Sequence, residues 1–130
     1  MKQVLQPRGW AAPRGYANGV AASGRIVSVA GQIGWNAQSV IVSGDLVAQV
    51  RQALTNVRSV LAEAGAGPEH LVRLTWYLVD KKEYLARARE IGAAYRELIG
   101  DYGVAMSAVQ VAALIEERAL VEIEATAVVP

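Results

Sequence analysis

Apolar and polar residues alternate with period two along some stretches of the chain and recur with a helical period along others. Leu71 to Val79 alternates, with Val72, Leu74, Trp76 and Leu78 on one face and Arg73, Thr75, Tyr77 and Val79 on the other. Side chains two apart share a face only in an extended chain, so this stretch predicts a strand. Leu120 to Val129 repeats the pattern: Val121, Ile123, Ala125, Ala127 and Val129 face one way, and Glu122, Glu124, Thr126 and Val128 the other. Val104 to Leu114 predicts a further strand, joined to the last by the polar Ile115-Glu116-Glu117-Arg118. Between Asp45 and Ala64 the period changes to 3.6: Leu46, Val50, Ala53, Leu54, Val57, Leu61 and Ala64 form one stripe, the mark of a helix packed on one side. Ser43 or Asp45 can cap its start, and Gly65 stands where a left-handed residue ends a helix. Glu83 to Ile99 predicts a second helix, with Leu85, Ala88, Ile91, Gly92, Tyr95, Leu98 and Ile99 turned inward and Gly100 stopping it.

Upstream, Gly and Pro punctuate short extended pieces. Ala17 to Ala21 and Arg25 to Ala30 predict two strands about a Ser23-Gly24 turn, and Gln3 to Gln6 offers another ahead of them. Gly31-Gln32-Ile33-Gly34 ends the second and opens a loop to about Ser43. The order β-β-α-β-α-β-β predicts an α+β domain spanning 1–130, with both helices on one sheet face. The opposite face, bearing Thr75, Tyr77 and Val128, has no helix to cover it, and a second copy of the chain is the economical cover.

Composition narrows the function. Hydrophobic residues make up 53% of the 130 positions, too many for a disordered chain. Thirteen Lys and Arg against twelve Asp and Glu leave a net charge of +1, which makes no electrostatic case for nucleic acid. Cysteine is absent, so disulfides, thiolate catalysis and Cys-held metals are excluded. The single histidine, His70, reads as a solvated turn residue beside Pro68, and no metal site or Ser-His-Asp triad is expected. No long uncharged apolar run predicts a membrane span and no signal-peptide core opens the chain, so the expected compartment is the cytoplasm.

Few residues are left to carry chemistry. Glu122 and Glu124 project to one face of a strand. Sealed in an oligomer, such a carboxylate is a candidate general acid or base; left at the surface, it is an ion-pair partner for Arg73 or a neighbouring subunit. Tyr16, in Arg14-Gly15-Tyr16, is placed either to line a pocket or to pack at the core edge. The backbone of Gly31-Gln32-Ile33-Gly34 could present N–H groups to an anion, without the Gly-Lys-Ser/Thr of a phosphate loop. Trp10, Trp35 and Trp76 read as core or interface residues, since no basic stripe accompanies them.

Several segments together resemble a known family. They are Gly15-Tyr16-Ala17-Asn18-Gly19, Ser28 to Gly34 (SVAGQIG), Gln49 to Val57 (QVRQALTNV), Leu61 to Ala66 (LAEAGA), Ser107 to Leu114 (SAVQVAAL) and Val121 to Ala127 (VEIEATA). In this order and spacing, over nearly the whole chain, they are similar to the reactive intermediate deaminase (RidA) family, also called L-PSP endoribonuclease-like. The resemblance implies a chorismate-mutase-like α+β fold: a mixed sheet of about six strands, two helices on one face, and a barrel-like homotrimer with clefts between subunits. It implies hydrolysis of a small imine or enamine by activated water, with no metal or organic cofactor.

Residue by residue, the resemblance makes Glu122 the carboxylate that positions water, and Tyr16 and the Gly31 backbone substrate contacts. Met106, Ser107 and Ala108 occupy the family's substrate-binding stretch. There the best-known branch carries an arginine that clamps the substrate carboxylate; this chain has Met106. A thioether cannot replace a guanidinium fork, so altered substrate choice is expected, with Arg14 or Arg73 as candidate substitute cations. The family's asparagine three residues before Tyr95 is Gly92 here. Two function classes follow: a RidA-type hydrolase with altered specificity, or a non-catalytic binding or sensing trimer. Ribonuclease activity is disfavoured by the charge balance and the lack of a histidine pair.

Overall fold

The structure is a computed structural model and describes residues 2–130. Its strands are β1 (Lys2–Leu5), β2 (Gly19–Ala22), β3 (Arg25–Ile33), β4 (Leu71–Leu78), β5 (Ala105–Gln110) and β6 (Val121–Val129). Its helices are α1 (Leu46–Glu63), α2 (Lys81–Ala86) and α3 (Ala88–Leu98). The six expected strands form two sheets. β3-β6-β4-β5 make a mixed sheet in which only β4 and β5 run parallel, and β1-β2 form a separate antiparallel pair. Ala17 lies outside β2, bridging to Ala105 with its N–H on the Val104 carbonyl at 2.9 Å.

The helix stripe read from the sequence is the core. Val50, Ala53, Leu54, Val57 and Leu61 are fully buried against Leu74, Leu78, Val121 and Ile123 of the sheet. Truncating one such leucine to alanine costs about 2–5 kcal/mol. Asp45 caps α1 by accepting from the Ala48 N–H at 3.0 Å, while Ser43 Oγ accepts from the Asp45 N–H. Gly65 follows with φ +69°, as expected.

Five expectations change. The helix expected over Glu83 to Ile99 begins earlier, where Asp80 accepts from the Lys82 and Glu83 N–H groups, and breaks at Arg87 (φ −104°, ψ 15°). Arg87 reaches across to Asp45 at 3.0 Å and along its own helix to Glu90 at 2.7 Å, tying the break to the start of α1. With the axis redirected there, Leu85, expected inward, is 65% exposed. β5 stops at Gln110, short of the expected Leu114, because its parallel partner β4 ends at Leu78; the Val111 N–H takes the Leu78 carbonyl as the final rung. β3 continues to Ile33 through a register irregularity between Val29 and Gln32, so Gly31 lies in a strand. A second irregularity between Leu71 and Arg73 turns Leu71 into the core in place of Val72.

A buried polar residue ties these pieces together. Gln49, fully buried on α1, donates to the carbonyls of Ser43 (2.8 Å) and Arg118 (3.0 Å) and accepts from the Leu120 N–H (2.8 Å). A Cβ on Gly34 would stand 2.6 Å from the Gln49 side chain, so only glycine lets β3's end approach so closely. Asn56, seven residues on, donates to the carbonyls of Ile33 (3.2 Å) and Trp35 (2.9 Å). Together they fix the end of β3 relative to the start of β6, where Gly31 and Glu122 lie.

Candidate functional site

β5 is an edge strand, and its helix-facing side is only partly covered. The gap is a 610 Å³ cleft between β4–β5 and α2–α3. Strand alternation points Met106 and Ala108 into it, and Tyr16 closes one side from the Gly15 loop. Trp76, Tyr84, Ile91 and Tyr95 supply an apolar and aromatic wall, with Trp76 edge-on to Tyr84 at 6.2 Å between ring centroids. Arg14, Arg96 and Asp101 supply its charge. Burial pushes the Tyr84 phenol up, and burial together with nearby Asp101 pushes Tyr95 up to about 12. Both phenols stay neutral at physiological pH. The indole Nε1 of Trp76 is buried without an acceptor, a state that costs about 1–3 kcal/mol.

Glu122 and Gly31 lie elsewhere. They meet in a separate 210 Å³ cleft with Ile33, Trp35 and Glu116. A Cβ on Gly31 would collide with Glu122 Oε2, so glycine is what lets this carboxylate lie against the β3 backbone. Ser107 points to the sheet face away from Met106, where its Oγ is 3.5 Å from Arg73, too long for more than a weak contact. Glu124 shares the face of Glu122 but accepts from the Tyr77 hydroxyl at 2.6 Å, a bond that raises the Tyr77 pKa. Within one chain, then, Tyr16, Met106 and Ala108 come together, Gly31 and Glu122 come together, and the two groups stay apart.

Of the cations considered as substitutes for the missing arginine, Arg14 lines the larger cleft; Arg73 lines a different depression with Glu124 and Thr126. Arg96 was not anticipated. The available signal was its place one helical turn beyond Gly92, on the same side of the helix. Gln49 and Asn56 were also missed as positioning residues; polar side chains seven apart beside an apolar stripe were the clue. His70 is a half-buried turn residue whose Nδ1 accepts from the Gly67 N–H at 2.9 Å. Among the described residues no cluster of His, Asp and Glu could hold a metal ion, and no helix is long and apolar enough to cross a membrane.

A family model described as endoribonuclease L-PSP matches residues 9–129. A RutC family protein of Synechocystis is 34% identical over 130 residues, covering 98% of this chain and 97% of the relative. A 2-iminobutanoate/2-iminopropanoate deaminase of Capra hircus is 34% identical over 105 residues, covering 80% of this chain and 73% of that protein. Among solved structures, a conserved Rid family protein of Yersinia pestis superposes with a TM-score of 0.85 at 38% identity, each chain covered to 98%.

Proposed function

Because the chain belongs to the endoribonuclease L-PSP family, which includes the RutC and Rid proteins, we propose that it hydrolyses a small imine or enamine to a carbonyl compound and ammonia. The reaction takes place in a composite cleft between copies of a homotrimer. One copy presents Tyr16, Met106 and Ala108; its neighbour presents Gly31 and Glu122.

The observation that carries this reading is the separation of those two groups on one chain, each in its own open cleft. The larger cleft pairs its apolar wall with one exposed carboxylate, Asp101; the smaller holds Glu122, packed against the β3 backbone. Glu122, held against Gly31, accepts a hydrogen bond from water and takes its proton as the oxygen attacks the imine carbon. The same carboxyl returns that proton to nitrogen, giving a carbinolamine; Glu122 then takes the hydroxyl proton and passes it to the amine nitrogen as the C–N bond breaks, so ammonia leaves as the carbonyl forms. Tyr16 orients the substrate from the opposite wall, and apolar Met106 shapes the cleft for a side chain. The deaminase relative supports the reaction class.

The test is ammonia release from imines generated in situ by an amino-acid oxidase. The expected result is turnover that Glu122→Gln abolishes. Turnover unchanged by that substitution would overturn the assignment of Glu122. Met106 also favours a second reading, a trimer that binds such ligands without converting them; ligand binding with no ammonia release from any imine would establish it. A ribonuclease is not supported, since the one histidine is engaged in a turn and the net charge is +1.

A further inference from the structure

Arg96 rises from α3 at the larger cleft, one helical turn beyond Gly92. A Cβ built on Gly92 would lie 3.3 Å from Arg96 Nη1, so the guanidinium rests against the bare face of the glycine. Any larger residue at 92 would compete for that space. Arg96 forms no ion pair among the described residues, whereas Arg51 and Arg87 are both engaged with carboxylates. Its charge has no ion-pair partner among the described residues, at a cleft whose strand wall, Met106 and Ala108, carries none and whose other charges are Arg14 and Asp101. Trp76, in the same cleft, has a buried N–H without an acceptor. The cleft's wall is aromatic and aliphatic, which suits an apolar side chain larger than a methyl group.

We propose that Arg96, seated in the space Gly92 leaves open, grips the carboxylate of a bulky apolar imino or oxo acid whose side chain lies along Met106, Ile91 and Trp76. This rests on the proposed imine chemistry and names its substrate class. The anionic anchor thus comes from α3 and not from β5. Arg14 lines the same cleft from the exposed loop that leads to Gly15, whose φ is +79°. The helix gives the Arg96 backbone a more fixed position than the loop gives Arg14, so less chain has to be ordered on binding.

The test is calorimetric binding to the assembled protein of 3-phenylpropanoate, its neutral amide 3-phenylpropanamide, and propanoate. The wild type should prefer 3-phenylpropanoate to the amide by roughly tenfold or more, the size of one charge-assisted hydrogen bond, and to propanoate by roughly tenfold or more through burial of the phenyl ring. Arg96→Gln should erase the preference for acid over amide while leaving amide affinity unchanged, and Arg14→Gln should keep it. Gly92→Asn, which fills the seat, should weaken acid binding in the same direction. Retention of the acid preference by Arg96→Gln, its loss in Arg14→Gln instead, or no binding of 3-phenylpropanoate to the wild type would overturn the proposal. Ammonia release is scored separately on the same preparations. Turnover with binding indifferent to Arg96 removes this assignment and keeps the reaction; Arg96-dependent binding without turnover does the reverse.

Discussion

Met106 brings a polarizable, uncharged side chain to a strand position that faces a cleft. A short imino acid bound near β5 finds no cation on that strand, and its apolar part is too small to hold it against the aromatic wall. Simple imines such as 2-iminopropanoate should therefore be poor substrates. A bidentate contact from β5, which Met106 does not supply, would be worth on the order of 2–5 kcal/mol, or roughly 30-fold and upward in rate. Met106→Arg should raise ammonia release from 2-iminopropanoate by a comparable factor, and adding Glu122→Gln should abolish the gain. If Met106→Arg changes nothing while the assembly is preserved, the determinant lies instead at Gly92 and the broken helical segment beside it.

The elements that the chain's periodicity announced are those held by a continuous apolar face. α1, β4 and β6 form within a residue or two of their expected ends, because Val50, Leu54, Leu74 and Ile123 have one place to go. The break at Arg87 was not legible: no glycine or proline marks it, and the ion pair found there joins Arg87 to Asp45, 42 residues away. The end of β5 was hidden for a similar reason, since a strand stops where its partner does and the pairing of β4 with β5 is non-local. At the site, Tyr16, Met106 and Glu122 could be named from the sequence. For Arg96 the sequence offered only its spacing from Gly92, and the meaning of that spacing depends on the space above Gly92.

The Arg87 junction also sets an acid limit on the helical layer. The Ala48 N–H first, and Arg87 second, hold Asp45 below its ordinary 3.8; Arg87 likewise lowers Glu90, and Arg51 lowers Glu97. Depressed native pKa values give stability that is fully present above the unfolded values and is lost as pH falls through the native ones. Melting temperature should therefore hold near neutrality and decline below about pH 4. Asp45→Asn, which keeps a capping oxygen but no charge, should make that decline shallower in thermal scans by circular dichroism. A slope identical to wild type would show that the junction contributes nothing to acid sensitivity.

Over the whole molecule, the helices cover one face of the main sheet and leave Thr75, Tyr77, Glu122, Glu124 and Val128 half-buried on the other. In the proposed trimer this face is sealed. Thr75 stands directly across from Glu124, so an added arginine there would find a carboxylate to pair with. Thr75→Glu is the sharper trial, since it sets like charges opposite one another in a buried interface at a cost of several kcal/mol. Sedimentation should show a trimer for the wild type and dissociation for Thr75→Glu. A wild-type monomer at micromolar concentration would exclude the assembly.

The composite cleft can be tested by mixing subunits. Tyr16→Ala and Glu122→Gln each disable one wall and should each be inactive alone. Across trimers assembled at random from an equal mixture, about a quarter of all interfaces would pair an intact Tyr16 wall with an intact Glu122 wall. Co-refolded mixtures should thus recover roughly a quarter of wild-type ammonia release, with mixed trimers verified by native mass spectrometry. Mixed trimers that remain as inactive as either parent would contradict a site shared between copies.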